Sequence, residues 1–416
     1  MQMKSIVLGA GLAGVTTAYY LARDGRAVTV LDRRSGVALE TSFANAGLVA
    51  PGHSYTWASP HAPKILLKSL FVEGQALRLR LNADPHMWAW CVLFLRNCTA
   101  TRSRENTSRK VRLCRYAQDQ LQQLTVREQL QYDRISRGLL YLYRDAASFE
   151  RGRSNMSILV ENGLPLETLD VAQVVVREPA LEQAHDGIAG AIYCPTDESG
   201  DAHQFTRELQ KVCERLDVRF MFDTPISRIE AAGDRITGVR TPAGLIDGDD
   251  FVLALGSYSP ILARPLGYRL AIYPVKGYSA TFPAGPEYRP PQIGGVDENH
   301  LVAWARFGER LRFTATAEFA GYDTRHAPAD FVPMLRAARE LFPDGADYTK
   351  PSYWAGLRPM TPEGTPLIGR TRHRNLFLNT GHGHMGWTMS CGTAKLLADI
   401  MTGRTPELDL TGMTMK

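Results

Sequence analysis

The chain has 416 residues, 44% hydrophobic and 22% charged, with 36 Gly and 24 Pro. This is the composition of a folded protein rich in turns, which excludes disordered and fibrous classes, and the length exceeds what one hydrophobic core sustains, so two domains sharing a cleft are expected. The net charge is a modest +5, and the six cysteines (Cys91, Cys98, Cys114, Cys194, Cys213, Cys391) show no C-x-x-C pair and no histidine at zinc-finger spacing, which reads as reduced intracellular thiols without metal or catalytic duty.

In chain order, residues 4 to 34 read strand, turn, helix, strand: an apolar run at Ile6 to Leu8, a glycine turn, an amphipathic stretch to about Arg23, then Val28 to Asp32. Ser5 to Ala22 carries no charge and follows Lys4, but Gly9, Gly11 and Gly14 crowd its middle, where a signal peptide or membrane anchor would carry Leu or Ile. Residues 64 to 130 lack strand alternation and are rich in Leu, Arg and Gln, which predicts a helical section, and the apolar stretch Met87 to Leu95 is too short to span a bilayer. Between Lys64 and Arg115, eleven Lys/Arg face only Glu73, Asp84 and Glu105. This basic surface is either a solvated helix face or a contact for an anionic membrane; nucleic acid is disfavoured because no binding motif accompanies the charge.

Leu139 to Tyr143 reads as a short strand. From Gly187 to Leu255 a strand and a helix precede short β runs punctuated at Gly233-Asp234, Pro242-Ala243-Gly244 and Asp247-Gly248, which is the turn chemistry of a β-meander, and Phe251 to Leu255 is a buried-strand candidate. Residues 269 to 320 alternate like a sheet, 328 to 342 look helical, and the end repeats strand, glycine turn and helix from Asn375.

Gly9-Ala10-Gly11-Leu12-Ala13-Gly14 follows the first predicted strand and opens the first predicted helix, and Asp32 lies eighteen residues past the last glycine at the end of the next strand. In that context the spacing is a dinucleotide-binding fingerprint: Gly9 for the tight turn, Gly11 for close approach of backbone N–H groups to a pyrophosphate, Gly14 for helix packing, and Asp32 for the adenosine ribose hydroxyls. The fingerprint does not separate NAD from FAD. Gly381 to Thr388 precedes the last helix, whose N-terminus can face a second negative charge, such as the pyrimidine edge of a flavin.

Six blocks then carry a resemblance: VLGAGLAG at 7–14, ETSFANAGLVAPGH at 40–53, ALGSYS at 254–259, YPVKGYS at 273–279, GLRPMTPEGTPLIGRT at 356–371 and NTGHGHMGWTMSCG at 379–392. They resemble the D-amino-acid dehydrogenase branch of the glycine-oxidase and D-amino-acid-oxidase superfamily, from the first strand to the last helix. The resemblance implies an α/β fold: a Rossmann-like FAD-binding domain with a β-meander (1–85, 190–265, 350–416), and a substrate domain on a mostly antiparallel sheet with helices (86–189, 266–349). It further implies that Leu12, Ala13, Arg33, Thr41, Ser42, Asn45, Ala46, Gly47 and Leu48 wrap the cofactor with the glycines and Asp32. Ala254 and Gly256 would end a strand beside it, and Gly383, His384, Met385, Gly386, Trp387 and Thr388 would line the pyrimidine edge. No metal is implied.

Arg358 matches the arginine that holds the substrate carboxylate in this superfamily; a planar guanidinium can grip a carboxylate through two parallel hydrogen bonds and so fix the Cα–H bond over the flavin. Tyr278, Tyr55 and His53 are further candidates for the substrate pocket, with Lys276 near the flavin. One departure is visible: Arg312-Phe313-Thr314-Ala315-Thr316-Ala317-Glu318 stands where relatives tend to carry Gly-Gly before a small residue and Glu, so the substrate-facing sheet is expected to be shaped differently. The expected reaction is FAD-dependent oxidative deamination of a D-amino acid, with electrons passed to a quinone or respiratory acceptor, in a cytoplasmic protein or one resting on the inner face of the membrane through the basic segment. The alternatives are an amine oxidase using O₂ on glycine, sarcosine or a cyclic imino acid such as D-proline or hydroxyproline, and a noncatalytic FAD subunit of a complex.

Overall fold

The computed structural model describes residues 2–69, 77–79 and 84–415, without the side chains of Ile65, Lys68 and Ser69. Of the basic segment, residues 70–76 and 80–83 lie outside this set, and with them Glu73 and Arg80.

The first strand, Lys4–Leu8, is buried on both faces and runs parallel to Ala27–Leu31 on one side and to Asp250–Leu253 on the other. Leu376–Thr380 adds in parallel beyond Asp250–Leu253, Leu367–Arg370 closes that edge antiparallel, and Arg219–Met221 closes the other, giving six strands. Near-continuous Ile, Val and Leu suit strands covered on both faces. The chain leaves Lys4–Leu8 first to one side and later returns on the other, so a topological switch point lies at its carboxyl end, where open α/β sheets bind ligands. Helix Leu12–Arg23 packs on this sheet and against the last helix, Gly386–Met401, which in turn packs on the long helix Ala100–Glu128. The expected meander is a three-stranded antiparallel sheet, Arg228–Ala232, Arg235–Thr241 and Gly244–Ile246, with the turns at the predicted glycines.

A second, mostly antiparallel sheet of nine strands is built around Tyr273–Pro283, which pairs with Arg310–Phe319 and Ser352–Met360. Three strands from the stretches assigned by resemblance to the FAD-binding domain hydrogen-bond into this sheet: Leu77–Leu79, Gly190–Cys194 and Ser352–Met360. Leu77–Leu79 also interrupts the section predicted to be helical. Three residues are too few to set up a readable alternation, and their parallel pairing with Ala317–Phe319 comes from 240 residues away. The altered stretch before Glu318 is irregular: Tyr278 pairs with Ala315 but Lys276 with Glu318, so the 310–319 strand carries an extra residue there, and Thr316 sits at φ +65°. A β-branched residue in the left-handed region marks a bulge, and a bulge re-aims its carbonyl.

Candidate active site

A single cavity of about 1470 Å³ runs from the switch point of the parallel sheet to the inner face of the second sheet. Its first end is built by the fingerprint. Gly9 adopts φ +109°, and a Cβ there would stand 2.7 Å from the Ala254 carbonyl oxygen. A Cβ on Gly14 would stand 1.8 Å from the Gly9 oxygen, so Gly14 serves helix packing and does not itself line the cavity. At Gly11 a Cβ meets only Ser42 Oγ, at 3.6 Å, and would project into the space left for a ligand. Asp32 lines this end, pinned by the amides of Ala10 at 2.7 Å and Arg34 at 2.8 Å; burial pushes its carboxyl up. Arg33 lies over the Tyr258 ring and pairs with Glu40 at 2.6 Å.

The loop after Glu40 borders the cavity through Thr41, Ser42, Asn45, Ala46, Gly47 and Leu48, and specific bonds hold it. Thr41 Oγ1 donates to the Leu357 carbonyl at 2.7 Å, Ser42 Oγ accepts from the Leu12 amide at 3.3 Å, and Asn45 Oδ1 accepts from Gly47 N at 3.0 Å. Ala254 and Gly256 border it from the end of Asp250–Leu253. Leu12 and Ala13 enter from the first helix, and Gly383, His384, Met385, Gly386 and Trp387 from the start of the last. Thr388 faces away and accepts a hydrogen bond from Ala50 N at 3.1 Å, tying the loop to the helix. Asn379 Oδ1 and Trp387 Nε1 are buried without a hydrogen-bond partner among the described residues, and both residues border the cavity. An elongated cleft with a backbone turn that no Cβ obstructs, an acid at one end, a helix N-terminus at the other and unpartnered polar atoms between fits a flavin dinucleotide.

At the far end stands Arg358. Its guanidinium donates to the Thr316 carbonyl at 2.7 Å and the Lys276 carbonyl at 3.5 Å, and no carboxylate pairs with it among the described residues. Burial lowers its pKa to about 10, which leaves it charged. Two local features make room for it. The bulge at Thr316 turns a carbonyl toward the guanidinium, and Gly277 across the pairing lies beneath it, where a Cβ would fall 2.3 Å from Arg358 Cζ. Gly277→Ala is therefore expected to displace Arg358 and weaken substrate binding about tenfold or more while flavin content holds, read from KM and the 450 nm absorbance.

Tyr55 and His53 also border the cavity and meet Glu298: His53 Nε2 lies 2.8 Å from Glu298 Oε1, the Tyr55 hydroxyl 2.7 Å from His53 Nε2 and 3.2 Å from Glu298 Oε2. His384 stacks on Trp57, and burial together with the positive charges of Lys110 and Arg358 holds it well below the ordinary histidine range. Tyr278 borders the cavity, but its hydroxyl is engaged by Glu318. Lys276 is not brought into the cavity. Its ammonium is buried 3.5 Å from Glu318 and donates to the Arg325 carbonyl at 3.2 Å, on the strand face opposite Gly277, where Glu318 also holds the Tyr278 hydroxyl.

Sequence reasoning missed Glu298, Lys110 and Trp57. Glu298 sits in an Asp-Glu-Asn turn with no local signal. Lys110 lies within the basic stretch predicted to be helical, yet its ammonium is buried, 3.2 Å from the Tyr55 carbonyl and 3.5 Å from His384 Nε2. Burial lowers its pKa to about 8. Because the folded pKa lies below the unfolded one, the unfolded chain binds the proton more tightly between pH 8 and about 10.5, so stability rises with pH across that window and carries a constant penalty below it. Lys110→Met is expected to raise stability at pH 7 by ~2 kcal/mol and to flatten that rise, measured by denaturant titration at pH 7 and 10.

Comparison with known proteins agrees with this geometry. The sequence pattern of the FAD dependent oxidoreductase family (DAO) matches residues 4–400. D-amino acid dehydrogenase 2 of Mesorhizobium japonicum is 45% identical over 412 residues, covering 99% of both chains. A D-amino acid dehydrogenase of Granulibacter bethesdensis is 44% identical over 407 residues, covering 98% of this chain and 97% of its own. Among solved structures, glycine oxidase from Geobacillus kaustophilus superposes with a TM-score of 0.76 at 20% identity, covering 100% and 99% of the two chains, which speaks for the fold. Given this fold, cleft and full-length similarity, the chain belongs to the DAO family of FAD-dependent oxidoreductases and groups there with the D-amino acid dehydrogenases.

Proposed function

We propose that this enzyme oxidises D-amino acids to 2-oxo acids and ammonia and passes the electrons to a quinone or another acceptor than oxygen. The observation that carries the reading is Arg358, a charged guanidinium without a carboxylate partner among the described residues, at the end of a cleft that starts at the dinucleotide fingerprint. Bound FAD supplies the acceptor for the hydride leaving Cα. The protein's own residues do the rest: Arg358 grips the carboxylate, the Thr316 carbonyl and the gap over Gly277 set its orientation, and the apolar walls exclude water. The product imino acid hydrolyses in water. The residues of the fingerprint, the 41–48 loop, Ala254, Gly256 and 383–387 would hold the cofactor, with Thr388 bracing the loop. Handedness rests on the similarity to the two dehydrogenases named above.

A non-oxygen acceptor is supported by an apolar arm of the cavity, walled by Trp57, Leu66, Leu77, Trp90, Phe94 and Phe319. Helix Pro85–Asn97 turns Trp90 and Phe94 into that arm and leaves Trp88, Val92 and Leu95 about half exposed. With the basic residues around it, this face supports peripheral contact with an anionic membrane, and no described helix is long and apolar enough to cross one.

The test is the visible spectrum of the pure protein before and after anaerobic addition of D- and L-amino acids. Bleaching of a flavin by D-isomers alone, with turnover on quinones and no peroxide in air, is expected. A flavin that no D-amino acid bleaches would remove the reading, and peroxide release would move the enzyme to the oxidases.

A further inference from the structure

An amino acid enters as a zwitterion, so a site that grips only its carboxylate leaves a positive ammonium to be accommodated in a largely apolar space. Three carboxylates border the cavity among the described residues: Asp32, Glu40 and Glu298. The first two belong to the dinucleotide end, where Asp32 accepts from the Ala10 and Arg34 amides and Glu40 pairs with Arg33 and Arg34. Glu298 stands with His53 and Tyr55, and the Lys110 ammonium joins Tyr55 to His384, 3.2 Å from the Tyr55 carbonyl and 3.5 Å from His384 Nε2, with Arg358 within charge range of His384.

We propose that Glu298, held by His53 and Tyr55, binds the substrate ammonium and takes its proton before hydride transfer. The proposal rests on the amino-acid reading above. In the step, one N–H bond of the ammonium breaks, an O–H bond forms on a Glu298 carboxylate oxygen, and the electron pair stays on nitrogen, so nothing is oxidised. That lone pair then assists departure of the hydride from Cα. Glu298 is a catalytic residue in this scheme; His53 and Tyr55 are positioning residues.

The setting suits the task. Glu298 follows strand Gly294–Asp297 and its amide donates to the Leu142 carbonyl at 2.9 Å, so its backbone is part of the sheet. Its side chain is 9% exposed and that of His53 15%, which leaves a small opening to the cavity. From the strand Leu139–Tyr143, Tyr141 and Tyr143 come near it; burial first holds both phenols neutral, with the Glu298 charge next for Tyr143 and for Tyr55, whereas the Tyr141 hydroxyl donates to the buried Asp197, whose charge weighs on it ahead of that of Glu298 and whose carboxyl burial pushes up to about 7. His53 stacks on Tyr141. The neighbouring Asp297 turns away to Arg144 and His300, each at 2.9 Å, and so does not draw on His53. Burial first, and then the Lys110 and Arg358 charges, keep a second proton off His384.

The experiment uses the flavin-loaded protein, with the D-amino acid that bleaches the wild type fastest and the same acid lacking its amino group as probes. For Glu298→Gln, kcat/KM at pH 7 is expected to fall on the order of 10²–10³-fold and to keep rising tenfold per pH unit toward pH 9, because only amine already deprotonated in solution reacts, while the wild type levels off earlier. Affinity for the deaminated acid, read from the flavin spectrum, should change less than about twofold. A Glu298→Gln profile parallel to the wild type, or equal weakening of both probes, overturns the proposal. Should that variant lose its flavin, Tyr55→Phe and His53→Gln decide: each should displace the same pH limb, and unmoved limbs in both overturn it. A wild-type flavin that no D-amino acid reduces would instead sink the amino-acid reading itself.

Discussion

Arg358→Ala is expected to lower kcat/KM for the amino acid by about a hundred- to several-thousandfold, or ~3–5 kcal/mol, with flavin content unchanged. The size follows from what the guanidinium touches. In the free enzyme it spends hydrogen bonds on the Thr316 and Lys276 carbonyls, which leaves the charge itself uncompensated in a buried place. A substrate carboxylate supplies that compensation, so its removal costs both a bidentate pair and the electrostatic match. A lysine should recover only part of the loss, because a point charge cannot reproduce the fork that fixes Cα–H. Steady-state kinetics with flavin absorbance as the loading control checks this; unchanged kinetics in the alanine variant would take Arg358 out of the site.

Gly14→Val is expected to yield a protein without flavin and destabilised by ~3 kcal/mol or more. A Cβ at residue 14 would overlap the Gly9 carbonyl at 1.8 Å, and both atoms are backbone-fixed, so the first helix has to lift from the sheet. Lifting it moves Gly11 and the helix N-terminus from the place where they can meet a pyrophosphate. Gly11→Ala is a useful contrast. There the added methyl meets only Ser42 Oγ at 3.6 Å, so stability should hold while flavin affinity falls, since the methyl takes space the ligand needs. Absorbance at 450 nm and thermal melting separate the two cases; a fully yellow, stable Gly14→Val protein would refute the packing argument.

Much of this was legible in the chain itself, and for definite reasons. The first βαβ unit is local: strand, turn, helix and Asp32 fall within about thirty residues, so spacing alone carries the geometry. The meander turns announced themselves through Gly233 and Gly244, which lie at positive φ where side chains are disfavoured. Arg358 emerged from a resemblance between ordered blocks rather than from its own surroundings. Leu77–Leu79, by contrast, is a strand only because Ala317–Phe319 passes beside it.

The amino-acid sequence by itself determined the dinucleotide end, the six matching blocks and the choice of Arg358, because each depends on residue type at short spacing or on block order. Only the tertiary structure decided that Lys276 turns to Glu318 and away from the cleft, that Gly277 and the Thr316 bulge frame the arginine, and that Glu298 joins His53 from 245 residues away. The physical reason is that strand register and sheet face set these neighbours. A shift of one residue reverses a side chain's face, and no local pattern of residue types encodes which distant strand will lie alongside.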